Sequence, residues 1–115
     1  TIVDLGSGAG KNCYILAQKV GATGKVIGVD FNDEMLSLSR KYLDEMSAKL
    51  GYKNVSFVKA KIQDLALNLD LVQDWLSQHP ITSVTEVGEF ETICDRFRQT
   101  QPLIADDSVD VVISN

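Results

Sequence analysis

The residues of this chain best suited to chemistry lie at the end of its first apolar run, where Asp4-Leu5-Gly6-Ser7-Gly8-Ala9-Gly10 leads into a helical pattern. Glycines at such a junction let the backbone turn sharply and let a ligand approach the N–H groups of the following helix. A second acid, Asp30, closes the next apolar run twenty residues beyond Gly10. A carboxylate at that spacing is placed to accept hydrogen bonds from both hydroxyls of a ribose. Cys13 falls in the first turn of the helix, where the positive end of the dipole favours a thiolate. Two roles stand open for it: a nucleophile close to the bound molecule, or a small apolar residue that seats the helix on a sheet.

Three classes of ligand compete for such a loop. A triphosphate loop needs a glycine where Leu5 stands and a Ser or Thr where Asn12 stands, so that reading fails twice. A dinucleotide loop has the spacing G-x-G-x-x-G, whereas this one runs G-x-G-x-G, and Asp4 beside it would repel a pyrophosphate. S-adenosylmethionine carries a sulfonium cation and an amino group and no phosphate, so a carboxylate there attracts it. Charge selects the third.

The elements that must position these residues follow from periodicity. Strands are expected over Thr1–Leu5, Lys25–Asp30 and Val55–Val58, with a helix over Lys11–Val20 stopped by Gly21. Asn32 caps a second helix whose apolar face runs Met35, Leu38, Tyr42, Met46 and Leu50, ended by Gly51. Strand, helix, strand, helix, strand with short links implies a parallel sheet with helices on both faces.

The alternation then breaks. Leu69, Val72, Trp75 and Leu76 mark one further helix, ended by His79-Pro80. Ser83 and Glu86 form a capping box for another, striped by Val84, Val87, Phe90, Ile93, Cys94 and Phe97. A two-helix insertion over about 66–105, between the third strand and a fourth at Val111–Ile113, accounts for both. Cys94, at helical spacing with its apolar neighbours, reads as core. His79 reads as a surface or C-capping residue and Lys61 as a solvated lysine.

Composition sets the outer limits. A 44% apolar, 23% charged chain of 115 residues is an ordinary globular domain, and its net charge of −5 argues against nucleic acid or anionic membrane as a partner. No zinc-ligand spacing occurs, and the two cysteines show no disulfide framework, so no metal and a cytoplasmic setting are expected. The chain opens and closes within apolar strands, so residues 1–115 are expected to form part of a larger cofactor-binding domain.

The run Val3-Asp4-Leu5-Gly6-Ser7-Gly8-Ala9-Gly10-Lys11-Asn12-Cys13-Tyr14 resembles the first motif of class I S-adenosylmethionine-dependent methyltransferases, in its arsenite methyltransferase-like form. Val20-Gly21, Gly28-Val29-Asp30, Lys41-Tyr42-Leu43 and Asp110-Val111-Val112-Ile113-Ser114-Asn115 are similar to that group too. The resemblance implies a Rossmann-like fold and methyl transfer to a small acceptor, trivalent arsenic held by cysteine thiolates before any other. It implies that Asp4, Gly6, Ser7 and Gly8 face the methionine moiety, with Asp30 on the ribose and Phe31 beside the adenine. Ile62 and Gln63 would meet the adenine edge, and Asn115 the methionine end. Gly10 completes the loop, and Cys13 is the candidate catalytic residue. Ala60, Lys61 and Gln63 depart from the glycine and acids that members carry at this corner. The other readings are a methyltransferase for a carbon, oxygen or nitrogen atom of a metabolite, and a non-catalytic cofactor-binding module. The insertion would serve as a lid or dock a partner.

Overall fold

In the computed structural model, which describes residues 1–114, four strands pair in parallel in the order β3-β2-β1-β4. They are β1 (Ile2–Leu5), β2 (Val26–Asp30), β3 (Val55–Lys59) and β4 (Val111–Ser114). Between them lie α1 (Lys11–Val20), α2 (Asp33–Lys41), α3 (Leu43–Leu50), α4 (Leu69–Gln78) and α5 (Val84–Thr100). The expected α/β fold, with two helices inserted between the third and fourth strands, is present.

Strand order decides where the site lies. From β1 the chain steps to β2 and then β3 in one direction, and returns across the sheet to put β4 on the other side of β1. The loop after β1 therefore sits at the switch point, where an open parallel sheet leaves a crevice at its carboxyl ends. Asp4 pairs with Gly28 and Leu5 with Val29, so the acid ends of β1 and β2 are neighbours.

Right-handed crossovers send the two outward connections over one face and the return over the other. On the first face Cys13, Tyr14, Ala17, Val26, Leu36, Val55 and Phe57 form a buried cluster, flanked by Leu43, Met46 and Leu50 of α3. On the second, Val3, Val29 and Ala60 are covered by Leu65, Leu103, Ile104 and Val109. A third cluster belongs to the insertion alone: Leu67, Val72 and Cys94, with Leu69, Leu76, Phe90 and Phe97 around them.

Three details depart from the periodicity. The second helix is two helices, broken at Tyr42. The Tyr14 hydroxyl donates to the Ser39 carbonyl at 2.7 Å, the acceptor that the Leu43 N–H would use in a continuous helix. The buried face is also not the expected one: Leu36 and Ser39 are buried while Leu38 and Tyr42 are exposed, because α2 turns Leu36 into the cluster with Val26, Val55 and Phe57 of the sheet. Val84 and Val87, expected in the α5 stripe, face outward. β4, read from sequence as buried, has Val111 and Val112 exposed and pairs only with β1 among the described residues. No helix is long and apolar enough to cross a membrane among the described residues.

Candidate functional site

The glycine loop is built from inside the protein. Gly6, Gly8 and Gly10 all hold positive φ (74°, 57° and 92°), a region costly for residues with a Cβ. The N–H groups of Gly6 and Ser7 both donate to the Val29 carbonyl, at 2.8 and 2.9 Å, and that of Gly10 donates to the Ser7 carbonyl at 3.0 Å. The Gly8 N–H donates to Asp30 Oδ2 at 2.8 Å, while Asp30 Oδ1 accepts from the Asn32 N–H at 2.8 Å. One carboxylate thus ties the loop after β1 to the loop after β2. Each of its oxygens retains a second lone-pair direction for a ligand hydroxyl.

What the loop offers outward differs from a phosphate cradle. Its Gly6, Ser7, Gly8 and Gly10 donors are all committed to protein acceptors. A Cβ added at Gly6 or Gly8 would meet nothing within 4 Å, so these two backbone segments border open space. Beneath them Asp4 is 2% exposed, and burial, with the Asp30 charge adding in the same direction, holds its carboxyl above the usual aspartate range. The Cys13 thiol opposes that shift by donating to Asp4 Oδ2 at 3.4 Å. Two carboxylates under an open loop favour a cation over a phosphate.

Gly10 also serves the packing. It is buried, and a Cβ there would come 2.7 Å from the Phe57 ring and 3.3 Å from Ser39 Cβ. The missing side chain lets α1 close onto the sheet. Gly28, noted in sequence only within the Gly28-Val29-Asp30 strand end, does the same from below: a Cβ would lie 2.7 Å from Phe57 and 2.9 Å from Ser7 Oγ. That buried Ser7 hydroxyl has no hydrogen-bond partner within the protein. A glycine inside an apolar strand was the available signal for such a close approach.

Cys13 is a correction. The dipole at the start of α1 was expected to yield a thiolate, but the residue is fully buried in the first-face cluster. Burial, followed by the Asp4 charge and the hydrogen bond to it, pushes the thiol up to about 12. A buried neighbour of a carboxylate keeps its proton, because ionising it would place two anions side by side out of water. Cys13 packs the helix and supports Asp4.

At the other end of the crevice the structure brings together Phe31, Ile62 and Gln63. Phe31 and Ile62 are 60% and 53% exposed, and with Lys61 and Gln63 they line a hollow of about 220 Å³. Two apolar side chains facing a gap at this end suit a flat heterocycle. Asn115, expected at the methionine end, lies outside the described residues. Cys94 is buried in the insertion cluster and its thiol is raised by burial. His79 caps α4, its Nδ1 3.0 Å from the Trp75 carbonyl and its ring stacked on the indole. Among the described residues no group of three or more His, Cys, Asp or Glu is placed to hold a metal ion. A separate cavity of about 510 Å³, with Leu67, Val72, Phe90 and Cys94 in its wall and Asp64 and Arg98 at its rim, lies between the insertion and the segment after β3.

Comparison with known proteins agrees with this geometry. Residues 1–91 match the family described as a methyltransferase domain. The arsenite methyltransferase of Aquipseudomonas alcaligenes is 49% identical over 65 residues, 56% of this chain and 19% of that protein. The arsenite methyltransferase of Homo sapiens is 42% identical over 66 residues, again 56% of this chain and 18% of the relative. The chain therefore matches less than a fifth of the length of these curated relatives. The crystal structure of an arsenic (III) S-adenosylmethionine methyltransferase from Chlamydomonas reinhardtii superposes with a TM-score of 0.60 at 26% identity, covering 99% of this chain and 28% of that one.

Proposed function

The chain belongs to the methyltransferase domain family, and from that premise we propose that it holds S-adenosylmethionine across the ends of β1 and β2 for methyl transfer to a small acceptor, a trivalent arsenical first among the candidates. One observation carries the cofactor assignment. Four of the loop's donors, the N–H groups of Gly6, Ser7, Gly8 and Gly10, are spent on Val29, Ser7 and Asp30, while its open side is backed by Asp4 and Asp30. That arrangement fits a cationic, phosphate-free nucleoside.

When bound, the sulfonium supplies an already activated methyl group. The chain's own residues align it and exclude water. Asp4 faces the positive end, where a buried carboxylate interacts more strongly than one in water. Asp30 accepts the ribose hydroxyls with the lone pairs left over from Gly8 and Asn32. Gly6 and Gly8 admit the ligand backbone where any side chain would intrude. Phe31 and Ile62 flank the base.

The acceptor is taken from the named activities of the relatives. A soft arsenic atom is held by thiolates, and both cysteines here are buried, Cys13 in the first-face cluster and Cys94 in that of the insertion. That single observation favours a second reading, transfer to a carbon, oxygen or nitrogen atom of a metabolite. The test uses the full-length protein. Calorimetry should show uptake of S-adenosylmethionine and its demethylated product and none of NAD or ATP; the reverse pattern sinks the cofactor assignment. Radiolabelled methyl transfer with arsenite and a thiol then separates the acceptors, since a metabolite enzyme would leave arsenite unmethylated.

A further inference from the structure

A side-chain ion pair ties the insertion to the turn at the nucleoside end of the crevice. Arg98, on α5, reaches 34 residues back along the chain, its Nε and Nη2 donating to Asp64 Oδ2 at 3.1 and 2.9 Å. Its Nη1 donates to Asp95 on the same helix at 2.6 Å, so the guanidinium is aimed from both sides. Asp64 closes a tight turn. Its N–H donates to the Lys61 carbonyl at 3.0 Å, and the two residues pair as an antiparallel bridge. The two residues at the tip of that turn are Ile62 and Gln63, which face Phe31 across the 220 Å³ hollow.

An ion pair of this kind often does no more than fasten one element to another. Here the fastening is supplied elsewhere. α5 is seated by Cys94, Phe90 and Phe97 against Val72 and Leu67. The chain returning from it is stitched down by the Leu103 N–H to the Ala66 carbonyl at 3.1 Å and the Ile104 N–H to the Leu65 carbonyl at 3.2 Å. What the Arg98 pair adds is restraint on the turn itself. Arg98 and Asp64 are each about one-third exposed, so the pair is partly shielded and two donors converge on one oxygen.

We propose that Arg98 is a positioning residue for the nucleoside end of the site: through Asp64 it holds the Lys61–Asp64 turn so that Ile62 and Gln63 stand opposite Phe31 at the separation a purine ring fills. The inference rests on the cofactor assignment above and gives the insertion a part in it. A turn without this restraint samples other positions, and the ordering cost then falls on ligand binding.

The experiment measures S-adenosylhomocysteine affinity by calorimetry on full-length wild type, R98A, R98K and the exchanged pair R98D/D64R. R98A is expected to weaken binding about five- to tenfold, with partial recovery in R98K or in the exchanged pair. In methyl-transfer assays the KM for the donor rises while kcat holds. Binding of an analogue with hypoxanthine in place of adenine adds a readout that a purely structural role would not move, since the wild type's preference for adenine should shrink in R98A. Wild-type affinity with a lowered melting temperature in R98A overturns the inference and leaves the cofactor assignment standing. Wild type that takes up no S-adenosylhomocysteine overturns the assignment itself. If R98A fails to fold, R98K is judged by the same criteria.

Discussion

The glycine loop and the seam between the insertion and the turn after β3 use paired acids in opposite ways. In the loop, Asp4 lies buried beneath the glycines and Asp30 accepts the Gly8 N–H, and the backbone at Gly6 and Gly8 borders open space. At the seam, Asp64 of the turn and Asp95 of α5 converge on a cation of the chain's own, Arg98. A carboxylate already satisfied by arginine has little left for a ligand. One supported by backbone N–H groups keeps its charge on offer. The loop thus leaves carboxylate-backed open space, while the seam closes on an ion pair of its own.

The comparison breaks most readily at Asp30. Asp30→Ala removes two charge-assisted anchors and both ribose acceptors, so S-adenosylhomocysteine affinity should fall about a hundredfold and stability by about 2–4 kcal/mol. Calorimetry with a thermal melt checks both, and unchanged affinity would remove Asp30 from the site.

Two glycine substitutions separate binding from folding. Gly28→Ala drives a methyl into Phe57 and Ser7 and should cost about 1–3 kcal/mol of stability. Gly8→Ala meets no neighbour, so its strain costs only about 1–2 kcal/mol, yet its methyl projects into the ligand's space and binding should suffer more than the fold. If both variants lost stability and affinity in the same proportion, the loop would not border a ligand.

Val72→Ala opens a cavity in the insertion's own cluster and should destabilise by about 1–3 kcal/mol. Hydrogen exchange should quicken in α4 and α5 while β1, α1 and β2 stay protected. Equal loosening of both regions would show that they share one cooperative core.

The remaining effect is a pH dependence at Cys13. Its folded thiol is raised from 9.0 to about 12, so above pH 9 the unfolded chain gives up the proton more readily than the folded one. Stability contributed by the protonated thiol is complete below pH 9 and is lost as pH rises towards 12. Melting temperatures followed over that range should fall more steeply in wild type than in Cys13→Ala. Matching slopes, or rapid alkylation of Cys13 at neutral pH, would restore the thiolate that the sequence led one to expect.

The parallel sheet, the glycine loop, both acids and the two inserted helices were legible because each rests on local rules. Gly21 and Gly51 stop helices where φ must be positive. Asn32 and Ser83 cap helices where their oxygens meet free N–H groups. Asp4 and Asp30 stand at strand ends whatever the packing above them. The break at Tyr42 was not legible, because the group that causes it, the Tyr14 hydroxyl, arrives from another helix. Nor was the buried face of α2, since Leu36 and Leu38 are equally apolar and only the packing of α2 on the sheet chooses between them.

Cys13 and Arg98 show the same division in the site. Local sequence alone placed Cys13 at a helix start, and a helix start favours a thiolate. Tertiary structure buried it, and beside a carboxylate, and loss of water together with that charge outweighs a half-charge on a dipole. Arg98 has no local signal at all, for its meaning depends on which acid 34 residues away the fold brings within 3 Å. Sequence by itself determined which elements form and which ligand charge the loop can accept, because those follow from neighbours along the chain. Only the fold decided which protons stay on and which turn is held, because those depend on neighbours across it.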